Sequence, residues 1–380
     1  MAERAPVEPP GATDPRGPDA VPLAFYAPMK SPDHPVPSGD RTIARLTMDA
    51  LRSAGFGPSL VSTLRIFDRD GDLATQAALE EAAGQEIDRL IASRAGGAKL
   101  WLTYHSHYKA PDLVGPAVAA ALEIPYAIVE PSLSPRRREG PWARFAAANE
   151  RAIAAADRLF WTTARDRPAL EAAGHAARMT HLPPFLEPGD AGQRLGTPAS
   201  TPLRVLTVAM MRPGDKLESY RRLARGLRRL EQPSVLTVIG DGPLRAEVEA
   251  LFAPFPRFGH QVVWLGALEP PAVRRAMAEA DLLVWPGVGE GVGLVWLEAQ
   301  AAGLPVVAED GPAARDVVRA GQLAAPGDPR ALAAAIALAA HDRAALSTAA
   351  RAAILTDHSL EAAAATLSST LGALLPSRVP

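Results

Sequence analysis

The chain has 380 residues, 48% of them hydrophobic, a length that a single core rarely fills and that favours two domains. A formal net charge of −2, from 40 basic and 42 acidic residues, gives no electrostatic ground for a nucleic-acid partner, and the lack of cysteine excludes disulfides, thiolate metal sites and a cysteine nucleophile. Only four of the 40 basic residues are lysines (Lys30, Lys99, Lys109 and Lys216), so a lysine inside a motif carries weight.

Residues 1–20 are rich in Pro, Gly, Ala and acidic side chains and have no apolar run behind a basic start, which reads as a disordered tail rather than a secretion signal. From Pro22 onward short β-rich runs alternate with amphipathic Ala/Leu/Arg stretches, the pattern of βαβ units and a parallel sheet. Strands are expected at 22–27, 60–67, 100–104, 126–130 and 159–162, with helices at 40–54, 73–94, 113–122 and 141–156. Residues 183–202 turn to Pro, Gly, Asp, Ser and Thr with little periodicity, as a linker does. A second alternating series follows, with strands at 203–209, 235–240, 262–265, 282–285 and 305–308 and helices at 218–230, 243–252, 271–280 and 293–302; residues 329–375 are helical in pattern. No stretch has the roughly 20 apolar residues of a membrane span, so the expected location is the cytoplasm, with at most peripheral contact at the inner face of a membrane. Two doubly wound parallel-sheet domains facing a cleft are the expected architecture, and ligands of such sheets bind at the carboxyl ends of the strands.

The segment Trp285-Pro-Gly287-Val-Gly289-Glu290-Gly291-Val292-Gly293-Leu294 runs from a strand through a loop with glycine at alternate positions into a helix that carries Glu298. Glycines let backbone N–H groups approach a ligand, and a helix N-terminus favours phosphate or sugar oxygens. Carboxylates accept from vicinal hydroxyls, so acid, N–H cradle and acid together suit a sugar, a diphosphate and a ribose. A plain glycine-rich turn with two solvated glutamates is the bland alternative for the same residues.

Glu290 and Glu298 with Gly293-Leu294 between them resemble the Glu-x7-Glu signature of retaining GT-B glycosyltransferases of family 4. Arg212 and Lys216, after the first strand of the second series, stand where that family has a basic pair; an arginine fork and a compact ammonium together suit a departing diphosphate. Gly240-Asp-Gly242-Pro243 is similar to the family's Gly-x-Gly-Pro turn, and Trp264-Leu265-Gly266 to the segment against the nucleotide base. The resemblance implies a GT-B fold of two Rossmann-like domains, 21–187 and 203–357, joined by a linker at 188–202, with a terminal helix at 358–380 returning to the first domain. It implies transfer of a hexose from a nucleotide-diphosphate sugar to a hydroxyl acceptor on a glycan, lipid or small molecule, with retention and without a cofactor or metal. Glu298 would take the ribose, Arg212 and Lys216 the diphosphate, and Glu290 with the Gly291, Val292, Gly293 and Leu294 backbone the sugar; Gly240 and Leu265 would complete the donor side. A catalytically silent nucleotide-sugar-binding protein and a nucleotide-sugar epimerase on the same fold are the competing readings.

The first domain departs from the family pattern. Only Gly39 stands where a double glycine is usual, and Glu130 occupies the apparent position of a histidine that faces the donor sugar. His105 and His107 end the preceding strand and read equally as local hydrogen-bonding residues or as part of the cleft. Asp68-Arg-Asp70-Gly-Asp72 has the form of a metal-nucleotide motif but lacks the other marks of a calcium loop, and reads as a solvated turn. Arg136-Arg137-Arg138, with Trp142 and Arg144, reads either as an exposed basic turn or as a surface for anionic lipid headgroups or an acidic acceptor.

Overall fold

The computed structural model describes residues 20–36, 38–187 and 201–376. The tail expected at 1–20 and the linker at 188–202 lie almost wholly outside the described residues.

The first series forms β1 (Val21–Tyr26), α1 (Gly39–Ser53), β2 (Phe56–Leu60), α2 (Leu73–Ala92), β3 (Leu100–Ser106), α3 (Gly115–Leu122), β4 (Tyr126–Pro131), α4 (Ala143–Ala155), β5 (Arg158–Trp161), α5 (Arg167–Ala172) and β6 (Met179–His181). These strands make one parallel sheet in the order β2-β1-β3-β4-β5-β6. The second series forms β7 (Leu203–Val208), α6 (Asp215–Leu227), β8 (Ser234–Ile239), α7 (Arg245–Phe252), β9 (His260–Gly266), α8 (Pro270–Glu279), β10 (Leu282–Val284), α9 (Leu294–Ala301), β11 (Val306–Glu309), α10 (Pro312–Val317) and β12 (Gly321–Ala324). Its parallel sheet runs β12-β11-β10-β7-β8-β9. Three helices close the chain: α11 (Pro329–His341), α12 (Arg343–Asp357) and α13 (Leu360–Gly372).

Side chains alternate across each strand, and a parallel sheet covered on both faces buries both sets. In β1, Leu23 and Phe25 enter one core layer of the first sheet, while Ala24 and Tyr26 enter the other. A separate core of β7, β8, β10 and β11 residues with Tyr220, Trp285, Trp296 and Ile336 holds the second sheet. Helix α12 packs on α9, but α13 crosses to α1, where Leu360, Ala363, Leu367 and Leu371 join the Leu23–Phe25 layer. The two chain crossings between the sheets lie side by side. Leu186 N–H donates to His358 O at 3.0 Å, and the His358 Nδ1–H donates to Pro184 O at 2.6 Å.

Strand order reverses between β1 and β3 in the first sheet and between β7 and β10 in the second. Loops leaving adjacent strands to opposite faces open a crevice at such a switch point. The two crevices carry Lys30 to Val36, Gly39 and His105 on one side, and Arg212 to Lys216 and Pro286 to Gly293 on the other.

Candidate active site in the interdomain cleft

The loop from Pro286 to Gly293 is built around Trp296, the buried indole in the first turn of α9. A Cβ at Gly287 would stand 2.1 Å from Trp296 Cζ2, and one at Gly293 2.1 Å from Trp296 Cε3, and both residues have left-handed φ, +74° and +71°. At Gly289 a Cβ would lie 2.2 Å from Asp215 Oδ2, whereas Gly291 faces open space. Three of the four alternating glycines are therefore set by packing and backbone conformation, and Gly291 alone of them leaves its backbone clear for a ligand. Val288 N–H donates to Ser219 Oγ at 2.9 Å and ties the loop to α6. Gly293 caps α9 without a side-chain acceptor, so the first N–H groups of the helix remain for a ligand in the cleft.

Glu290 and Lys216 are brought together. Glu290 Oε1 accepts from the Lys216 ammonium and, at 2.9 Å, from Trp285 Nε1–H. The ammonium also stands 5.4 Å from the centre of the Trp285 ring. Lys216 lies in the first turn of α6, after Gly214 at φ +80°. Arg212 is exposed on the loop before it.

Glu290 in the loop and Glu298 in α9 face different cavities. Glu290 lines one of about 290 Å³ with Gly287, Gly291, Arg165, Arg222 and Glu309, in which Arg222 and Glu309 are ion-paired at 2.5 Å. Glu298 lines another of about 290 Å³ with Thr42, Leu46, Val208, Leu268, Arg274 and Met277. Solvent reaches the Glu298 carboxyl, but the concave wall strips much of its hydration and pushes its pKa up to about 7, against the opposing charge of Arg274. Val292 and Leu294 lie between the two, lining a narrow crevice against Glu130 and Thr162 of the first sheet. What the sequence presents as one cradle is thus three compartments. Gly240 approaches Ala209, where a Cβ would be 1.9 Å from the carbonyl oxygen, while Leu265 is 42% exposed on β9.

Across the cleft, Ser38 caps α1 by accepting from Arg41 N–H at 3.3 Å, and Gly39 opens the helix with free space at its Cα. Asp40 follows and bonds His105 Nδ1 at 3.1 Å. His105 and Glu130 occupy matching places at the ends of β3 and β4, both at φ +58°, a left-handed conformation that side chains other than glycine adopt at a cost and that concentrates at functional sites. Burial disfavours the His105 imidazolium, but the charges of Glu130 and Asp40 and the Asp40 hydrogen bond outweigh it and raise the pKa to about 9. Burial raises the Glu130 pKa, with His105 opposing. Glu130 Oε2, the Tyr104 hydroxyl and Thr162 Oγ1 are buried with no hydrogen bond of ordinary geometry among the described residues, although the Tyr104 hydroxyl lies close enough to the Glu130 carboxyl for the two to interact. Such groups cost free energy unless a ligand or water completes them.

His107 acts locally, since its Nδ1 accepts from the backbone N–H of Lys109 and Ala110, both at 3.1 Å. Burial and then the charge on His105, whose ring centre is 4.8 Å away, hold its pKa near 3, so it is neutral.

Residues 202–342 match the family model for glycosyl transferases group 1. The residues that carry the second sheet are thus similar to a group 1 glycosyltransferase domain. The chain is 34% identical over 114 residues to the sulfoquinovosyl transferase SQD2 of Arabidopsis thaliana, 28% of this chain and 21% of that one. It is 30% identical over 245 residues to D-inositol 3-phosphate glycosyltransferase 1 of Catenulispora acidiphila, 57% of this chain and 58% of that one. The matches thus span about a fifth and somewhat over half of these relatives. Among solved structures, a glycosyltransferase from Rickettsia africae superposes with a TM-score of 0.70 over 95% of this chain and 100% of its own, at 12% identity. Sucrose-phosphate synthase from Thermosynechococcus elongatus gives 0.67 over 93% and 99% at 20% identity, and Anabaena HepE in complex with UDP-glucose gives 0.63 over 93% and 99% at 18%. The fold of the chain is GT-B.

Outside the interdomain cleft, the structure bears on two further sequence readings, and in the second the arginines form the exposed basic turn that is one of its alternatives. Asp68 is buried at 3% exposure, not solvated: Oδ1 accepts from the N–H of Asp70 and Gly71 at 3.0 Å, and Oδ2 from Gln76 Nε2 at 2.7 Å. Asp72 then caps α2, so the acidic run is a helix start. In the arginine turn, Arg138 pairs with Glu150 at 2.7 Å and Arg144 with Glu80, and Arg137 lies 4.9 Å from the Trp142 ring centre. The run carries less free charge than its sequence suggests. Among the described residues no helix is long and apolar enough to cross a membrane.

Sequence reasoning misses Asp40, Trp285 and Tyr104. Asp40 is signalled by its place in the first turn after Gly39, and Trp285 by an aromatic residue directly before the Pro-Gly turn. Tyr104 has no sequence signal apart from its neighbour His105.

Proposed function

We propose that the protein transfers a hexose from a nucleoside-diphosphate sugar to a hydroxyl acceptor with retention at the anomeric carbon. The observation that carries this reading is the Lys216–Glu290–Trp285 unit beside the open N-terminus of α9, at the switch point of a glycosyltransferase domain. The UDP-glucose held by HepE supports a nucleoside-diphosphate sugar as donor. Glu298 in its apolar cavity accepts from the ribose hydroxyls, and Leu268 and Val273 there give the base an apolar wall. Glu290 holds the sugar hydroxyls. Lys216, released in part from Glu290, joins Arg212 and the α9 N–H groups at the diphosphate.

In the reaction the bond from the anomeric carbon to the phosphate oxygen breaks as the acceptor oxygen bonds that carbon from the same face. The acceptor's proton passes to the departing phosphate oxygen. Developing negative charge on the diphosphate meets preorganised cations and N–H dipoles, which is where such groups lower a barrier. This charge balance calls for no metal ion. On the first sheet Glu130 accepts from a sugar hydroxyl through Oε2, while His105, fixed by Asp40, holds the carboxylate in place.

A thermal-shift and hydrolysis panel of nucleotide sugars identifies the donor. Glu290→Gln is expected to weaken nucleotide-sugar affinity at least about tenfold while changing nucleoside-diphosphate affinity by less than about twofold, read by calorimetry. Equal losses for both ligands would mean that Glu290 does not see the sugar.

A further inference from the structure

The loop between β1 and α1 gathers cations that the donor site does not use. Arg65 Nε donates to Met29 O at 3.0 Å, Arg45 Nε to Pro32 O at 2.7 Å, and Arg41 Nη1 to His34 O at 2.9 Å. Each guanidinium thus spends an N–H on a backbone carbonyl, which orients it but brings no negative charge. Lys30 sits in the same loop. Among the described residues none of Lys30, Arg41, Arg45 and Arg65 forms an ion pair with a carboxylate, and the nearby Asp40 is engaged by His105. Burial, opposed by Asp40, lowers the Lys30 pKa, and the charges of Arg212, Arg65 and Arg41 lower it further. Arg212 lies on the loop after β7, so its charge reaches Lys30 from the other half of the molecule.

Like charges that outnumber the nearby Asp40 carboxylate oppose folding, and the arrangement becomes favourable when an anion enters. The donor's diphosphate already has Arg212, Lys216 and the α9 N-terminus on the second sheet. We infer that the β1–α1 loop binds an anionic group on the acceptor, which is a phosphorylated alcohol whose phosphate is held by Lys30 and the Arg65 fork beside the transfer site. The inference rests on the glycosyl-transfer reading and specifies its acceptor class. Small soluble phosphate esters and phosphate-headed lipids share this chemistry.

The test uses the full chain saturated with whichever of UDP, GDP, ADP or TDP raises its melting temperature most, so that the diphosphate position is filled. Calorimetry with inorganic phosphate and glycerol 3-phosphate, and co-sedimentation with phosphatidylcholine vesicles with or without phosphatidic acid, then report on the second anion site and on its source. The expected result is binding to a phosphate ester in one of these forms on the nucleotide-filled protein. That binding should weaken at least about tenfold in Lys30→Gln and in Lys30→Gln/Arg65→Gln, with nucleotide affinity kept within about twofold. Lys30 makes no hydrogen bond among the described residues, and so the single variant tests the charge without loosening the loop. No phosphate-ester binding in the presence of nucleotide, or undiminished binding in both variants, would overturn the inference. Failure of every nucleoside diphosphate to bind would instead count against the donor site.

Discussion

Lys216 and Glu290 lie 74 positions apart in the chain and bond directly in the unliganded cleft. Each keeps the other from being an unpaired, half-buried charge, and Trp285 fixes the carboxylate from behind. The first sheet has a comparable unit in Asp40 and His105. Because the folded-state pKa of His105, about 9, lies above the ordinary imidazole value of 6.5, its charge stabilises the fold fully below pH 6.5, and that contribution is lost as pH rises through 9. In Asp40→Asn the His105 pKa is expected to fall by about one unit or more, measured by NMR titration of the imidazole, with the alkaline loss of stability moving down in step. An unchanged titration would show that Asp40 does not charge the ring.

At the scale of elements, the Pro286–Gly293 loop depends on which glycine is changed. Gly293→Ala puts a Cβ into the Trp296 ring from a left-handed backbone and should cost about 2 kcal/mol or more. Gly291→Ala should stay within about 0.5 kcal/mol of wild type, since its Cβ meets open space. Urea denaturation of the two variants decides it; equal losses would mean that the loop does not pack on Trp296.

Legibility follows the same physics. The central strands and the strand–loop–helix around Glu290 are readable because continuous apolar runs, glycine turns and helical periodicity all agree there. The strand expected at 60–67 lies instead at Phe56–Leu60, as β2. Its Pro58 argues against a strand, but β2 is at the sheet edge, where a missing N–H is tolerated. The apolar run after it is an extended brace, tied by Tyr26 OH to Leu64 O at 2.8 Å and by Ile66 N–H to Pro28 O at 2.8 Å. Strands β6 and β12 leave little trace in the sequence for a related reason: they are short edge strands of 3 and 4 residues. The Lys216–Glu290 and Asp40–His105 pairs join distant segments, and no local pattern marks such contacts.

At the scale of the molecule, α13 returns to the first sheet and makes the chain ends of the two halves interdependent. Leu367 is fully buried against α1 and the Leu23–Phe25 layer. Leu367→Ala should cost about 2–5 kcal/mol by chemical denaturation, a loss borne by the first sheet although the residue follows the second. A change below about 0.5 kcal/mol would show that α13 does not complete that core. Among the described residues the Pro184–Leu186 and His358–Ser359 segments bond to each other where the chain passes between the two halves.

The central claim is that this cleft breaks a sugar–diphosphate bond with Lys216 stabilising the leaving group. Nucleotide release from the best-bound nucleotide sugar, compared between the wild-type chain and Lys216→Ala, tests it most directly. The account predicts release by the wild type and a loss of about 100-fold or more in the variant with its melting temperature nearly unchanged, whereas undiminished release by the variant would contradict it.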